Sequence, residues 1–197
     1  KNIALYSIAG IMFYLIGYNL MYTGVPEGGW IGSFSLLYNT SEAELALINA
    51  ENKTPELVKG AMGAGYSVMS DWFFQMVFVA TAASIVSGTV AERIKVWPFL
   101  VFVVVLTAFI YPVQASWVWG GGWLDQMGFS DFAGSTLVHS TGGWAALTGA
   151  IILGARKGKY GPNGEVQPIP GANLPLATLG TFILWFGWFG FNGGSQL

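Results

Sequence analysis

The sequence predicts an all-α, polytopic membrane protein, a bundle of five transmembrane helices within 197 residues. Three observations predict it. Only 9 % of the residues are charged, against roughly 25 % in an ordinary soluble domain, too few to cover a water-exposed surface of this size. The charges are clustered and leave five stretches without Asp, Glu, Lys or Arg, at 2–26, 72–91, 96–124, 132–155 and 166–197. Each is as long as the run of about 20 apolar residues that crosses a bilayer core. None shows the alternation, in segments of about ten residues, of a transmembrane barrel strand. The composition also removes other classes. An aromatic content of 16 % excludes disorder. The absence of cysteine excludes disulfides, thiolate metal sites and cysteine nucleophiles. One histidine cannot build a His-rich metal centre, and a net charge of −2 gives no basis for a nucleic-acid partner.

The first predicted span is Ile3–Tyr22, preceded by Lys1. A long segment, 24–71, follows and carries Glu27, Glu42, Glu44, Glu51 and Glu56 beside Lys53 and Lys59. Its two glycosylation-type triplets, Asn39-Thr40-Ser41 and Asn52-Lys53-Thr54, are short enough to occur by chance. The second span is Trp72–Ala91 and the third Trp97–Trp117, with Arg93 and Lys95 between them. Nothing basic occurs in 118–131. The fourth span, Phe132–Ala155, takes Asp131 as its N-cap. The loop Arg156–Gly171 is basic but lacks the spacing of a phosphate-binding loop. The fifth span is Leu174–Gln196. Six basic residues fall on one side of the membrane and two on the other, so the positive-inside rule puts Lys1 in the cytoplasm and Leu197 outside, across the plasma (inner) membrane. Gly142, Ala146 and Ala150 in span 4, and Gly190 and Gly194 in span 5, recur every four residues, as in closely packed membrane helices. The chain starts with Lys rather than Met and stops just after a span, which is expected of a piece of something longer.

Polar groups at membrane depth are expensive and hence candidates for function. His139 is the one ionisable side chain well inside a span. Counted from Asp131 it lies about 12 Å down, near the bilayer midplane. Read by itself, it is equally a hydrogen bond between helices and a functional group. Phe74 and Phe78 share one face of span 2; Trp188, Phe191 and Ser195 share one face of span 5. Trp119 stands at the same level in Trp117-Val118-Trp119-Gly120-Gly121-Gly122. Each aromatic taken singly is also explained by lipid contact. By depth, the order is aromatic and hydroxyl at the mouth, two phenylalanines beneath, then histidine.

The stretches Val118-Trp-Gly-Gly-Gly, Asp131-Phe-Ala-Gly-Ser-Thr-Leu-Val-His139 and Gly187-Trp-Phe-Gly-Phe-Asn-Gly-Gly-Ser195 resemble the ammonium transporters of the Amt/Mep/Rh superfamily, Amt/Mep type. Phe74-Gln75 through Ala91-Glu92-Arg93-Ile94 is similar to the family's third helix and the loop after it. The chain then looks like helices two to six of eleven. The resemblance implies a homotrimer with one pore per protomer. It also implies an ammonium site at the outer mouth built from Trp119, Phe78 and Ser195, a stacked gate of Phe78 and Phe191, and His139 as a pore histidine. Asp131, with Trp188 nearby, would be the structural acid beside the recruitment site. A PII-type regulatory protein on the cytoplasmic face is a further implication. No cofactor is implied.

These residue types suit ammonium. Trp119 and Phe78 attract a cation through their ring faces, worth roughly 0.5–2 kcal/mol each. Ser195 accepts one N–H at about 1 kcal/mol, a bond potassium cannot offer. The apolar lining below disfavours the charged form, and an imidazole hydrogen-bonds ammonia and relays a proton. The expected function is ammonium transport, not enzymatic catalysis. The alternatives are an ammonium sensor with a C-terminal signalling domain and an Rh-type gas channel, against which the Trp119 mouth argues.

Overall fold

The computed structural model describes residues 1–38, 40–61 and 65–196. Asn39 of the first triplet, and Leu197, which the charge rule assigns to the outside, lie outside the described residues. The described chain is all-helical in its long elements, with five helices long and apolar enough to cross a membrane. These are α1 (Asn2–Tyr22), α4 (Val68–Thr89), α5 (Val96–Ser116), α7 (Ser135–Leu153) and α8 (Leu174–Gly194). Three short helices lie between them: α2 (Glu42–Asn49) and α3 (Pro55–Ala61) in the long segment, and α6 (Trp123–Gln126) after α5. Because successive spans reverse direction, one end of the bundle collects 24–71 and 118–131 and is rich in acids. The other end collects Lys1 and the basic loops.

Local chemistry sets the boundaries. The second span, α4, starts at Val68 rather than at Trp72, because the Ser67 side chain accepts from the Ser70 amide at 3.2 Å and caps it. That brings Asp71 into the first turn, where the helix dipole favours an acid. The far end of α4 is tied to the far end of α7 by Arg93, whose guanidinium donates to the Thr89 carbonyl and to the Gly154 carbonyl, the latter at 2.6 Å. Those bonds satisfy carbonyls that a helix terminus leaves without partners. Beside them Arg156 pairs with Glu92 at 2.9 Å. In α5, Pro112 has no amide and its ring crowds the preceding turn. The helix accommodates it through a π turn at Leu106–Ile110. A second π turn, Phe13–Gly17 in α1, lies against the first. Gly17 is needed at that contact, since a Cβ there would sit 2.9 Å from the Pro112 ring and 3.0 Å from the Thr107 carbonyl.

The core is formed by α1, α4, α5 and the inner face of α7. Phe13, Val79, Phe99, Val103, Leu106 and Tyr111 are all but inaccessible. The α4–α7 seam is a close helix contact. A Cβ on Gly142 would come within 2.9 Å of the Ala82 carbonyl, and Ala146 below it is buried. Small residues at that spacing bring the two backbones together. Among the described residues, no helix packs on the corresponding stripe of α8. Gly190 faces open space, Gly194 meets only the Phe74 ring, and none of the 21 residues of α8 is buried. The four-residue spacing is a local feature, and whether a helix stands opposite it is not.

Candidate functional site

Four separate elements converge at the acid-rich end. From α4 come Phe74 and Phe78, one turn apart, with ring centroids 4.7 Å from each other. Phe78 is buried and touches two other elements. Its ring lies 6.0 Å from that of Trp119, in the turn after α5, and 4.9 Å from that of Phe191 on α8. The Phe78 and Phe191 planes meet at 58°, so the pair is tilted where a stacked gate was expected. Parallel stacking occurs one turn away, between Trp188 and Phe191, at 5.2 Å and 22°. His139 lies beneath, its ring 5.6 Å from Trp188 and 6.0 Å from Phe191. Its Nε2 is buried and, among the described residues, has no hydrogen-bond partner.

Trp119 is held by its backbone and its ring. The Trp-Gly-Gly-Gly turn passes so near other backbone that a Cβ on Gly120 would lie 2.2 Å from the Met21 carbonyl, and Gly121 sits at φ +77°. Both positions require glycine. The indole Nε1 then donates to the Asp131 carbonyl at 2.8 Å, which locks the ring. At the α8 edge of the site, the Ser195 hydroxyl donates to the Phe191 carbonyl at 2.7 Å. With its one proton committed, the oxygen keeps its lone pairs as acceptors.

Asp131 does more than an N-cap does, and from a different place. The residue before α7 is Gly134, at φ +98°. The Asp131 carboxylate reaches past it and accepts from the amides of Gly134, Ser135, Thr136 and Leu137 at 2.8–3.0 Å, and from the Thr136 hydroxyl at 2.7 Å. Burial alone pushes this carboxyl up. The bonds from the Leu137 amide, the Thr136 hydroxyl and the Gly134 and Thr136 amides outweigh it and hold the group below its ordinary value of 3.8. The gathered amides draw the first six residues of α7 into a π helix, Ser135–Ser140, in which the His139 amide bonds to the Gly134 carbonyl. Counted from Ser135, His139 is about 6 Å into the helix, where a straight run from Asp131 predicts about 12 Å.

Two supporting residues had no motif to announce them. Gln114, a polar residue in the third charge-free stretch, donates to the Leu137 carbonyl at 2.8 Å and braces the π turn under His139. Tyr18 donates to Asp71 at 2.9 Å. Among the described residues, no three His, Asp or Glu side chains are grouped as metal ligands. These contacts form an aromatic slot, with a hydroxyl acceptor one turn beyond Phe191 on α8 and an imidazole against Trp188 and Phe191. Chemically it suits a small cation that also donates hydrogen bonds.

Comparison with known proteins bears on this geometry. The profile of the Ammonium Transporter Family matches residues 1–197. The ammonium transporter Amt2 of Archaeoglobus fulgidus is 42 % identical over 207 residues, covering 100 % of this chain and 40 % of that protein. A solved structure described as a sensor Amt protein superposes with a TM-score of 0.79 at 41 % identity, covering 98 % of this chain and 44 % of its own. The crystal structure of Candida albicans Mep2 gives a TM-score of 0.71 at 28 % identity, over 98 % of this chain and 39 % of its own. The chain thus spans about two fifths of the length of the curated relatives it matches.

Proposed function

The chain belongs to the ammonium transporter family, and on that premise we propose that it forms one wall of a pore that takes ammonium at Trp119, Phe78 and Ser195 and passes ammonia beyond the Phe78–Phe191 pair to His139. The observation that carries the reading is the convergence of Phe78, Trp119, Phe191 and His139 from α4, α8, the start of α7 and the turn after α5. Residues packed merely for lipid contact have no reason to meet around a buried, unpartnered imidazole nitrogen.

The chemistry follows from the positions. A cation against the Trp119 and Phe78 faces gains roughly 0.5–2 kcal/mol from each ring. Ser195 accepts an N–H with a free lone pair, since its own proton is spent on Phe191. A bare monovalent ion lacks that donor, and at about 1 kcal/mol the difference favours ammonium. Past Phe191 the walls are aromatic and apolar, so the neutral form travels at lower cost than the ion. His139 then offers a nitrogen that accepts and returns a proton. Asp131 is a positioning residue, which fixes Trp119 through its carbonyl and the start of α7 through its carboxylate. The surplus of basic residues assigns the loops at Arg93 and Arg156 to the cytoplasm and the slot to the outside of the plasma membrane. The family resemblance extends the proposal to a homotrimer and to a PII-type partner on the basic face.

The test is ammonium-evoked current or uptake by the full-length protein in liposomes, wild type against His139→Ala. We expect the variant to lose rate or selectivity; undiminished and equally selective flux overturns the proton-handling role. The likeness to a sensor Amt protein favours one second reading, in which the same slot binds ammonium to drive signalling. Saturable ammonium binding with no flux in the same liposomes would select it.

A further inference from the structure

Asp71 lies in none of the motifs above, and the structure moves it into the membrane helix. Because α4 starts at Val68, residues 71, 74 and 78 follow one another at helical spacing on a single face. Asp71 is thus in line with Phe74 and Phe78, about 10 Å nearer the acid-rich end than Phe78. Its carboxylate is half-buried, and Oδ2 accepts from the hydroxyl of Tyr18, itself buried. Among the described residues no basic side chain pairs with it. The one ion pair there, Arg156–Glu92, is at the opposite end of the bundle. Lys53 spends its ammonium on the Leu47 and Ile48 carbonyls. One turn below Asp71 on the same face of the helix stands Gln75. Gln75 is 4 % exposed and, among the described residues, its Oε1 has no partner. A carboxylate withdrawn from water without a counter-charge, beside a buried acceptor without a donor, is an arrangement that a cation bearing N–H groups completes.

We propose that Asp71, Gln75 and Tyr18 form a second cation station above the aromatic slot, which captures ammonium from solution and delivers it to Trp119 and Phe78. This rests on the transport reading given above. The station stands in a favourable field. The acid-rich end carries Asp71, Asp125, Asp131 and five glutamates against two lysines, a net charge of −6. A surface with that excess concentrates cations and speeds their arrival, in a manner that added salt weakens. Tyr18 holds the carboxylate in place by donating to Oδ2. Gln75 contributes the amide oxygen on the inward side, so an ion moving toward Phe78 exchanges one acceptor for another.

The experiment measures ammonium transport by the full-length protein in liposomes as a function of ammonium concentration, at low and high ionic strength set with an impermeant salt. Wild-type transport is the first arm; its absence overturns the transport reading and the station together. In the second arm, Asp71→Asn keeps an acceptor for Tyr18 but removes the charge. We expect KM to rise about tenfold with the maximal rate within about twofold, the salt dependence of KM to flatten, and Asp71→Glu to restore both. A purely structural role would lower the amount of functional protein and leave KM and its salt dependence alone. An unchanged KM and salt profile in Asp71→Asn, with the wild type active, overturns the station only. If Asp71→Asn does not assemble, Gln75→Leu decides, since it removes the amide oxygen at similar volume. A raised KM supports the station and an unchanged KM overturns it.

Discussion

α4 and α8 both send a phenylalanine into the slot, yet they are held in different ways. Nine residues of α4 are buried, and it is clamped by α1 on one flank and α7 on the other. α8 has no buried residue and touches the rest at its acid-rich end, where Phe191 meets Phe78 and His139, and Gly194 meets Phe74. Along most of its length it exposes Phe182, Ile183, Leu184, Trp185, Phe186 and Phe189. The difference teaches that, within this chain, the two sides of the slot have separate sources of order. Phe78 is positioned by a packed core, whereas the contacts this chain itself gives Phe191 are those of the slot, through aromatic neighbours and the Ser195 bond. Substitutions in the α4–α7 half therefore act on stability first, and those in α8 act on recognition first.

The largest expected effect comes from Asp131. Asp131→Ala strips four backbone amides and a hydroxyl of their acceptor and should cost about 3 kcal/mol, read as a lower melting temperature in detergent. The acid dependence has a definite sign. A carboxyl held below 3.8 in the folded protein contributes stability that is complete above its unfolded value. That contribution is lost as the pH falls through the lowered folded value. Acid unfolding should therefore flatten in Asp131→Ala below about pH 4; an unaltered profile would assign the acid sensitivity to another group.

Next is the α4–α7 seam. Gly142→Leu drives a side chain into the Ala82 backbone and Ile85 and should cost about 2 kcal/mol by overpacking, with loss of the His139 position and hence of transport. Smaller again is Ser195→Ala, which removes one acceptor and should weaken ammonium binding roughly fivefold, about 1 kcal/mol, with little change in melting temperature. Isothermal binding or the KM for ammonium measures it. The smallest effect is the control for the whole comparison. In the 197-residue chain taken alone, Gly190→Leu on α8 meets nothing within 4 Å and should shift its stability by less than about 0.5 kcal/mol. A large loss in that variant would show that α8 is packed on a face the other contacts do not reveal.

The same contrast explains how much was legible beforehand. Phe78, Trp119, Phe191, Ser195 and His139 were recognisable as candidates from helical spacing and glycine-aromatic motifs. Their meeting was not, because spacing places a residue on a face of its own helix and is silent on the helix opposite. Asp131 was legible as a cap, but its reach past Gly134 depends on a positive φ and a π turn that involve several residues at once. Gln114 and Asp71 carried only the weak signal of a polar group in or beside an apolar stretch.

Hydropathy and charge are sums over neighbouring residues, so the chain alone determined an all-helical membrane bundle with five spans and an acidic and a basic end. Which small-residue stripes are packed, how deep His139 lies and that Asp71, among the described residues, is held by Tyr18 without a basic partner depend on atoms far apart in sequence. Those matters were decided only when tertiary packing brought α4, α7 and α8 together, since a close approach such as Gly142 to Ala82 is a property of two backbones and neither sequence segment contains it.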